Sequence, residues 1–180
     1  FVGDIGNEAE RLNRMSSKLL SLSRIESADE VEIEIGNILP TAQRVIRMLS
    51  GIADNNGVTI ITDFRQDSPI LIPEDDLYQI IFNLVENGIK YNRAGGTLTI
   101  QLYRTDENAV LAVKDTGVGI PEDAIPHLFD RFFRVDKARS RAAGGTGLGL
   151  AIAKEITEEY GISPQRTACL LDTFSCIFQG

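Results

Sequence analysis

"PEDDLYQIIFNLVENGIKYN", residues 73–92, reads as the helix on which the rest of the chain is organised. Three acids, Glu74, Asp75 and Asp76, occupy its first turn, where the helix dipole is positive. Leu77, Ile80, Ile81, Leu84, Val85 and Ile89 supply its apolar residues. Against that background Asn83, Asn87 and Lys90 fall at i, i+4 and i+7 and so share one stripe. Taken alone, the stripe reads equally well as the solvent-facing side of an amphipathic helix. The functional reading is a site for a metal-bound phosphate. An asparagine oxygen is a hard, neutral ligand suited to a magnesium ion that keeps most of its waters, and Lys90 offsets phosphate charge.

Strand patterns flank this helix on both sides. "VTIITDF" (58–64) and "PILI" (69–72) precede it; "TLTIQLYR" (97–104) and "NAVLAVKD" (108–115) follow as a hairpin. Further upstream, "VEIEI" (31–35) alternates as a half-exposed strand. Residues 38–57 then place Val45, Ile46, Leu49 and Ile52 on one helical face and stop at Asn55-Asn56-Gly57. Downstream, irregular glycine-rich and aromatic sequence runs from Thr116 to Gly145, and a last helix spans about Gly147 to Tyr160. Three helices separated by strand pairs predict one sheet with the helices on a single face, an α/β two-layer sandwich.

The first 27 residues stand apart. Ile5, Leu12 and Leu19 recur every seven positions, with Met15 and Leu22 three after the last two. Charged flanks make this a coiled-coil-like helix, half of a hairpin that pairs with another chain, rather than a helix packed on its own domain. Ser27 to Glu30 reads as a hinge.

Composition bounds what the chain can do. With 180 residues, 43% apolar and 24% charged, it is long enough to bury one sizeable core. The net charge of −8 argues against nucleic acid or anionic lipid as a partner. Five cations (Arg131, Arg134, Lys137, Arg139, Arg141) nevertheless crowd one segment against a single acid, Asp136. That segment reads as a solvated loop or as an attractor for a small polyanion. No apolar run approaches the roughly 18 residues needed to span a bilayer. Two cysteines, Cys169 and Cys176, fit a reduced, cytosolic setting.

Three more segments bear on chemistry. "DTGVGIP" (115–121) follows an apolar strand end, so Asp115 sits where a buried sheet meets a loop. It reads as an ordinary turn, or as an acceptor for a ring-borne amino group with Gly117 and Gly119 letting a flat base approach the backbone. In "HLFDRFFRVD" (127–136), Phe129, Phe132 and Phe133 read as an apolar anchor for a long loop, from which Arg131 and Arg134 reach toward a ligand. "GGTGLGL" (144–150) hinges the preceding basic loop and exposes amides at the start of a helix, the end that phosphate favours. The dinucleotide, P-loop and protein-kinase glycine signatures are absent.

In this order the four segments resemble the catalytic ATP-binding domain of bacterial sensor histidine kinases. "NLVENGIKY" is similar to the N box, "DTGVGIP" to the G1 box, "HLFDRFFR" to the F box and "GGTGLGL" to the G2 box. "RLNRMSSKLLSLSRIES" (11–27) resembles the second helix of the dimerization and phosphoacceptor hairpin. The resemblance divides the chain into residues 1–28, part of that hairpin, and 31–180, the catalytic domain in the ATP-binding fold of histidine kinases and gyrase. It implies ATP and Mg²⁺ as cofactors, with Asn87 on the metal. Lys90 and Tyr91 line the phosphate and sugar side, Asp115 binds the adenine amino group beside Gly117, Gly119 and Ile120, and Arg134 contacts the terminal phosphate. Phe132, Gly145, Thr146, Gly147, Leu148 and Gly149 complete the pocket, and Asn83, Lys90 and Arg134 stand nearest the chemistry.

Related gyrase-type and chaperone ATPases, and anti-sigma-factor serine kinases, carry glutamate where this chain has Asn83. An amide cannot take a proton from water at neutral pH, so transfer to a side chain is expected rather than hydrolysis. The alternatives are an ATPase or serine kinase of the same superfamily, or a non-catalytic nucleotide-binding or dimerization module. The implied partners are the chain's own phosphoacceptor helix, a response regulator and a second copy through the N-terminal helix. The single histidine, His127, lies inside the F-box match, so the piece is not expected to phosphorylate itself. The chain opens at Phe1 and is expected to be an excised cytoplasmic portion of a membrane-anchored sensor. Its last stretch, 161–180, departs from the family pattern; "TACLL" (167–171) and "TFSCIF" (173–178) are expected to pair as two edge strands.

Overall fold

The structure, a computed structural model, describes residues 35–67, 69–105, 108–135, 146–161, 163–166 and 173–179, the last two stretches as backbone. The helix expected over 1–27 and most of "VEIEI" lie outside them. In chain order the elements are β1 (Ile35–Asn37), α1 (Ile38–Asn55), β2 (Thr59–Phe64), β3 (Pro69–Leu71) and α2 (Glu74–Lys90). Next come β4 (Thr97–Arg104), β5 (Asn108–Asp115), a 3₁₀ segment (Glu122–His127), α3 (Gly149–Glu159), β6 (Ser163–Arg166) and β7 (Thr173–Gln179).

Five strands form a mixed sheet in the order β2-β4-β5-β7-β6, in which only β2 and β4 run parallel. The three helices cover one face of it. Period-two alternation in β4 turns Leu98, Ile100 and Leu102 inward, and from β5 come Ala109, Leu111 and Val113. They meet Leu77, Ile80, Ile81, Leu84, Val85 and Ile89 of α2, the middle helix, which packs against both α1 and α3. Each Leu or Ile fully buried here contributes about 1.5–3 kcal/mol. Gly88 lets α2 lie close on the sheet, because a Cβ there would run into the buried Leu98 side chain.

Several expectations change. The buried face of α1 is Ile38, Ala42, Val45, Leu49 and Ala53, whereas Ile46 is half-buried and Ile52 is 49% exposed. Two alanines, Ala42 and Ala53, occupy buried positions that the larger Ile52 does not reach. The helix does end as read: Gly57 takes φ +65°, and the Val58 amide donates to the Ala53 carbonyl at 2.9 Å.

"PILI" does not join the main sheet. Pro69–Leu71 pairs antiparallel with β1 as a separate two-stranded ribbon. Prolines at 69 and 73 bracket a strand too short to extend further. At the other end, Ser163–Arg166 pairs with β7, and "TACLL" lies outside the described residues. β7 is internal, hydrogen-bonded to β5 on its other side, so of these two strands β6 alone lies at an edge of the sheet, where Pro164 is tolerated.

Candidate functional site

The candidate site lies along the C-terminal half of α2. Asn83 is fully buried, Asn87 and Lys90 are half-buried, and the stripe therefore runs from the interior toward the surface. Neither amide atom of Asn83 has a hydrogen-bond partner among the described residues. Leaving a buried amide unsatisfied costs about 1–3 kcal/mol, so this residue is out of keeping with a purely structural helix face. Its side chain is aimed at the start of α3. A Cβ on Gly149 would stand 3.1 Å from Asn83 Oδ1.

That helix start is the second part of the site. Gly147 takes φ +74°, a conformation that L side chains rarely adopt. A Cβ there would lie 2.8 Å from the Phe132 carbonyl carbon and 2.9 Å from the Phe133 oxygen. The Phe132 amide donates to the Gly147 carbonyl at 2.9 Å, so the two loop ends are bound to each other. Leu148 is buried beneath, and the half-buried Thr146 accepts from the Leu148 amide through Oγ1 at 3.4 Å. Gly145 lies outside the described residues.

Phe132 corrects one expectation. It is 52% exposed and has φ +66°, the only non-glycine with positive φ among the described residues. Its backbone, not its ring, anchors the segment, while Phe129 and Phe133 are half-buried. Arg131 is not aimed at a ligand alone: its Nε donates to Glu155 Oε1 of α3 at 2.8 Å. Arg134 is half-buried on the same segment. His127 is exposed, with Nδ1 2.8 Å from Asp130 Oδ2 and its ring 5.5 Å from that of Phe133. It serves the packing of this loop.

The third part sits at the C-terminal end of α2. Asp115 ends β5, and its Oδ1 accepts from the Gly117 amide at 2.8 Å, which orients the carboxylate. Gly117 is buried against the Tyr91 carbonyl with no room for a Cβ, and the Val118 amide donates to that same carbonyl at 3.1 Å. Gly119 takes φ +74°, and Ile120 beside it is half-buried. Asn87 thus lies between two glycine-lined regions, one held by Tyr91 and one facing Asn83. At 1.5 Å rise per residue, the eight steps from Asn83 to Tyr91 span about 12 Å. An elongated ligand with a flat head and an anionic tail matches that layout.

Four contributors escape the motif reading. Arg93 donates through Nη2 to the Gly117 carbonyl. Asn92 donates to the Thr97 carbonyl at 2.9 Å, and Thr116 Oγ1 accepts from the Thr97 amide at 2.8 Å, which together tie the loop after α2 to the end of β5. Glu155 is the fourth. Arg93, Thr116 and Glu155 act across 24, 19 and 24 residues, separations for which no periodicity gives a signal, whereas Asn92 reaches only five residues ahead.

No cluster of three or more His, Cys, Asp or Glu side chains able to hold a metal occurs among the described residues. A magnesium ion carried mainly by water and phosphate oxygens needs no such cluster, and the neutral oxygen of Asn87 fits it. Among the described residues no helix is long and apolar enough to cross a membrane.

Comparison with known proteins agrees with this layout. Residues 72–170 match the family described as histidine kinase-, DNA gyrase B- and HSP90-like ATPase. The sensor histidine kinase YkoH of Bacillus subtilis is 34% identical over 158 residues, which cover 88% of this chain and 34% of that protein. For WalK of the same organism, also a sensor histidine kinase, identity is 37% over 164 residues, covering 86% of this chain and 26% of that one. This chain therefore spans about a third or less of these curated relatives. Among solved structures, the Acinetobacter baumannii histidine kinase AdeS superposes with a TM-score of 0.79 at 22% identity, covering 99% of this chain and 83% of that one. Full-length ShkA, solved in complex with AMPPNP, gives a TM-score of 0.79 at 25% identity, covering 97% of this chain and 36% of that one.

Proposed function

The chain belongs to the histidine kinase-, DNA gyrase B- and HSP90-like ATPase family, and from that premise we propose that it is the ATP-binding catalytic part of a sensor histidine kinase. Its reaction is transfer of the ATP γ-phosphoryl group to a histidine presented on a separate helix, for relay to a response-regulator aspartate. The observation that carries this reading is Asn83. A buried amide without a partner among the described residues faces the glycine-rich start of α3, on the same stripe as Asn87 and Lys90. Glutamate at that position would supply a base for water; asparagine does not.

Each residue then has a physical role. Asp115 accepts from the adenine amino group, with Gly117, Gly119 and Ile120 forming the surface against which the base lies. Tyr91 and Lys90 take the sugar and phosphate side. Asn87 holds Mg²⁺, which when bound neutralises phosphate oxygens. The amides at Thr146, Gly147, Leu148 and Gly149 receive the phosphates at the positive end of α3, with Gly145 and Phe132 closing that side. Arg134 meets the terminal phosphate. In the transfer an imidazole nitrogen of the acceptor forms an N–P bond, the bond to the ADP oxygen breaks, and the imidazole proton leaves. The protein's contribution is positioning and charge stabilisation.

The wider arrangement follows: residues 1–28 as part of the helix pair that dimerizes and carries the acceptor, and a cytoplasmic location beneath a membrane-anchored sensor. The test is in two steps. Calorimetric titration with Mg-ATP is expected to give saturable binding, and incubation with labelled ATP and a supplied phosphoacceptor helix is expected to place acid-labile phosphate on that helix. Binding without transfer leaves a non-catalytic nucleotide module; absence of binding at millimolar Mg-ATP in a folded sample ends the reading.

A further inference from the structure

We infer that Arg131 and Glu155 are positioning residues, an ion pair that sets the phosphate-receiving end of α3 through the Phe132–Gly147 contact; this rests on the nucleotide reading above. Three observations meet here. Phe132 holds a left-handed backbone conformation that an aromatic residue adopts rarely, with its ring half in solvent, so its own side chain does not hold it there. Its amide is bonded to the Gly147 carbonyl at 2.9 Å, and Gly147 has no space for a Cβ against the Phe132 and Phe133 backbone. The adjacent residue, Arg131, reaches Glu155 on α3 at 2.8 Å.

Glu155 lies inside α3, more than one turn after Gly149. The pair therefore ties the segment before Gly147 to the body of the helix whose first turn follows it. Pulled from the Arg131 side, Phe132 keeps its unusual turn, and the Gly147 carbonyl keeps the direction that leaves the following amides at the helix start. Glu155 is 24% exposed and Arg131 47%, so the pair is better shielded than a fully exposed one, and its loss is felt at the turn it braces. The adenine end is built elsewhere, by Asp115, Gly117 and Tyr91 at the C-terminal end of α2.

That asymmetry gives the test. Arg131→Glu, Glu155→Arg and the exchanged pair Arg131→Glu/Glu155→Arg are compared with the unaltered chain by calorimetry, using Mg-ATP and adenosine separately. Each single variant is expected to bind Mg-ATP about three- to fivefold more weakly with adenosine affinity unchanged, and the exchanged pair to return within about twofold of the original. Glu155→Arg is the sharper variant. It adds positive charge near the phosphates, so simple electrostatics predicts tighter ATP binding whereas loss of the clasp predicts weaker. Tighter or unchanged ATP binding by Glu155→Arg, equal loss for ATP and adenosine, or no recovery in the exchanged pair overturns the inference while the nucleotide site stands. An unaltered chain that binds neither ligand overturns the site and the inference together.

Discussion

The two halves of α2 both mix apolar and polar residues and differ in how their polar groups are satisfied. In the N-terminal half every named polar contact closes on a neighbouring element. Glu74 pairs with Arg44 of α1 at 2.7 Å, Asp76 accepts from the Tyr160 hydroxyl at 2.8 Å, and the Tyr78 hydroxyl donates to Met48 Sδ at 2.7 Å. Tyr78 also stacks on Phe82 and lies beneath the Arg44 guanidinium, 4.5 Å from its ring centre. In the C-terminal half, Asn83 is buried with no hydrogen-bond partner among the described residues, and Gly88 gives up side-chain packing for a close approach to Leu98. The first half is a completed structure. The second carries a polar deficit that a ligand can fill.

The contrast is sharpest at Asn87. Asn87→Ala removes the proposed metal ligand from a half-buried position without opening the core. Mg-dependent ATP affinity is expected to fall by roughly a hundredfold, with the thermal unfolding midpoint little changed. An unchanged affinity by calorimetry breaks the functional side of the comparison.

Asn83 offers the opposite experiment. Replacing an orphaned buried amide by an apolar side chain of similar size removes its desolvation penalty, so Asn83→Leu is expected to stabilise the ligand-free chain by about 1–3 kcal/mol while weakening Mg-ATP binding. Stability measured by denaturant unfolding reads this directly. A destabilised variant with unaltered nucleotide affinity means that the amide is satisfied within the fold. Asp115→Asn follows at smaller scale: an amide in place of the carboxylate is expected to cost about tenfold in adenine-nucleotide affinity, and equal loss for guanine nucleotides indicates damage to the fold instead.

These residues were legible in the sequence to different depths. The i, i+4, i+7 spacing placed Asn83, Asn87 and Lys90 on one stripe, and the structure keeps them on one helix. Spacing could not show that Asn83 is buried, because its burial depends on α3 packing across it from a distant part of the chain. The three helices within the described residues and the hairpin carry strong periodicity and match the structure closely. Ile52 departs from its pattern because hydrophobicity does not measure fit: it is exposed while the smaller Ala42 and Ala53 are buried. β6 carries no strand signal in the sequence, since Pro164 argues against a strand except at an edge position. The contacts of Arg93 with Gly117 and of Arg131 with Glu155 had no sequence signal, since each is fixed by tertiary placement alone.

The smallest expected effect tests the completed half. Tyr160, capping the end of α3, donates its hydroxyl to Asp76 in the first turn of α2. Burial, reinforced by that carboxylate, pushes the Tyr160 hydroxyl well above its ordinary pKa of 10. A group whose pKa is raised in the folded state holds its proton more firmly there than in the unfolded chain. Its contribution is therefore complete below about pH 10 and declines as pH rises beyond that value. Tyr160→Phe is expected to cost about 0.5–1.5 kcal/mol at neutral pH, to flatten the loss of stability above pH 10, and to leave Mg-ATP affinity where it was. A change in nucleotide affinity comparable to that of Asn87→Ala would mean that the two halves of α2 are coupled, and that the division drawn between them does not describe how the helix works.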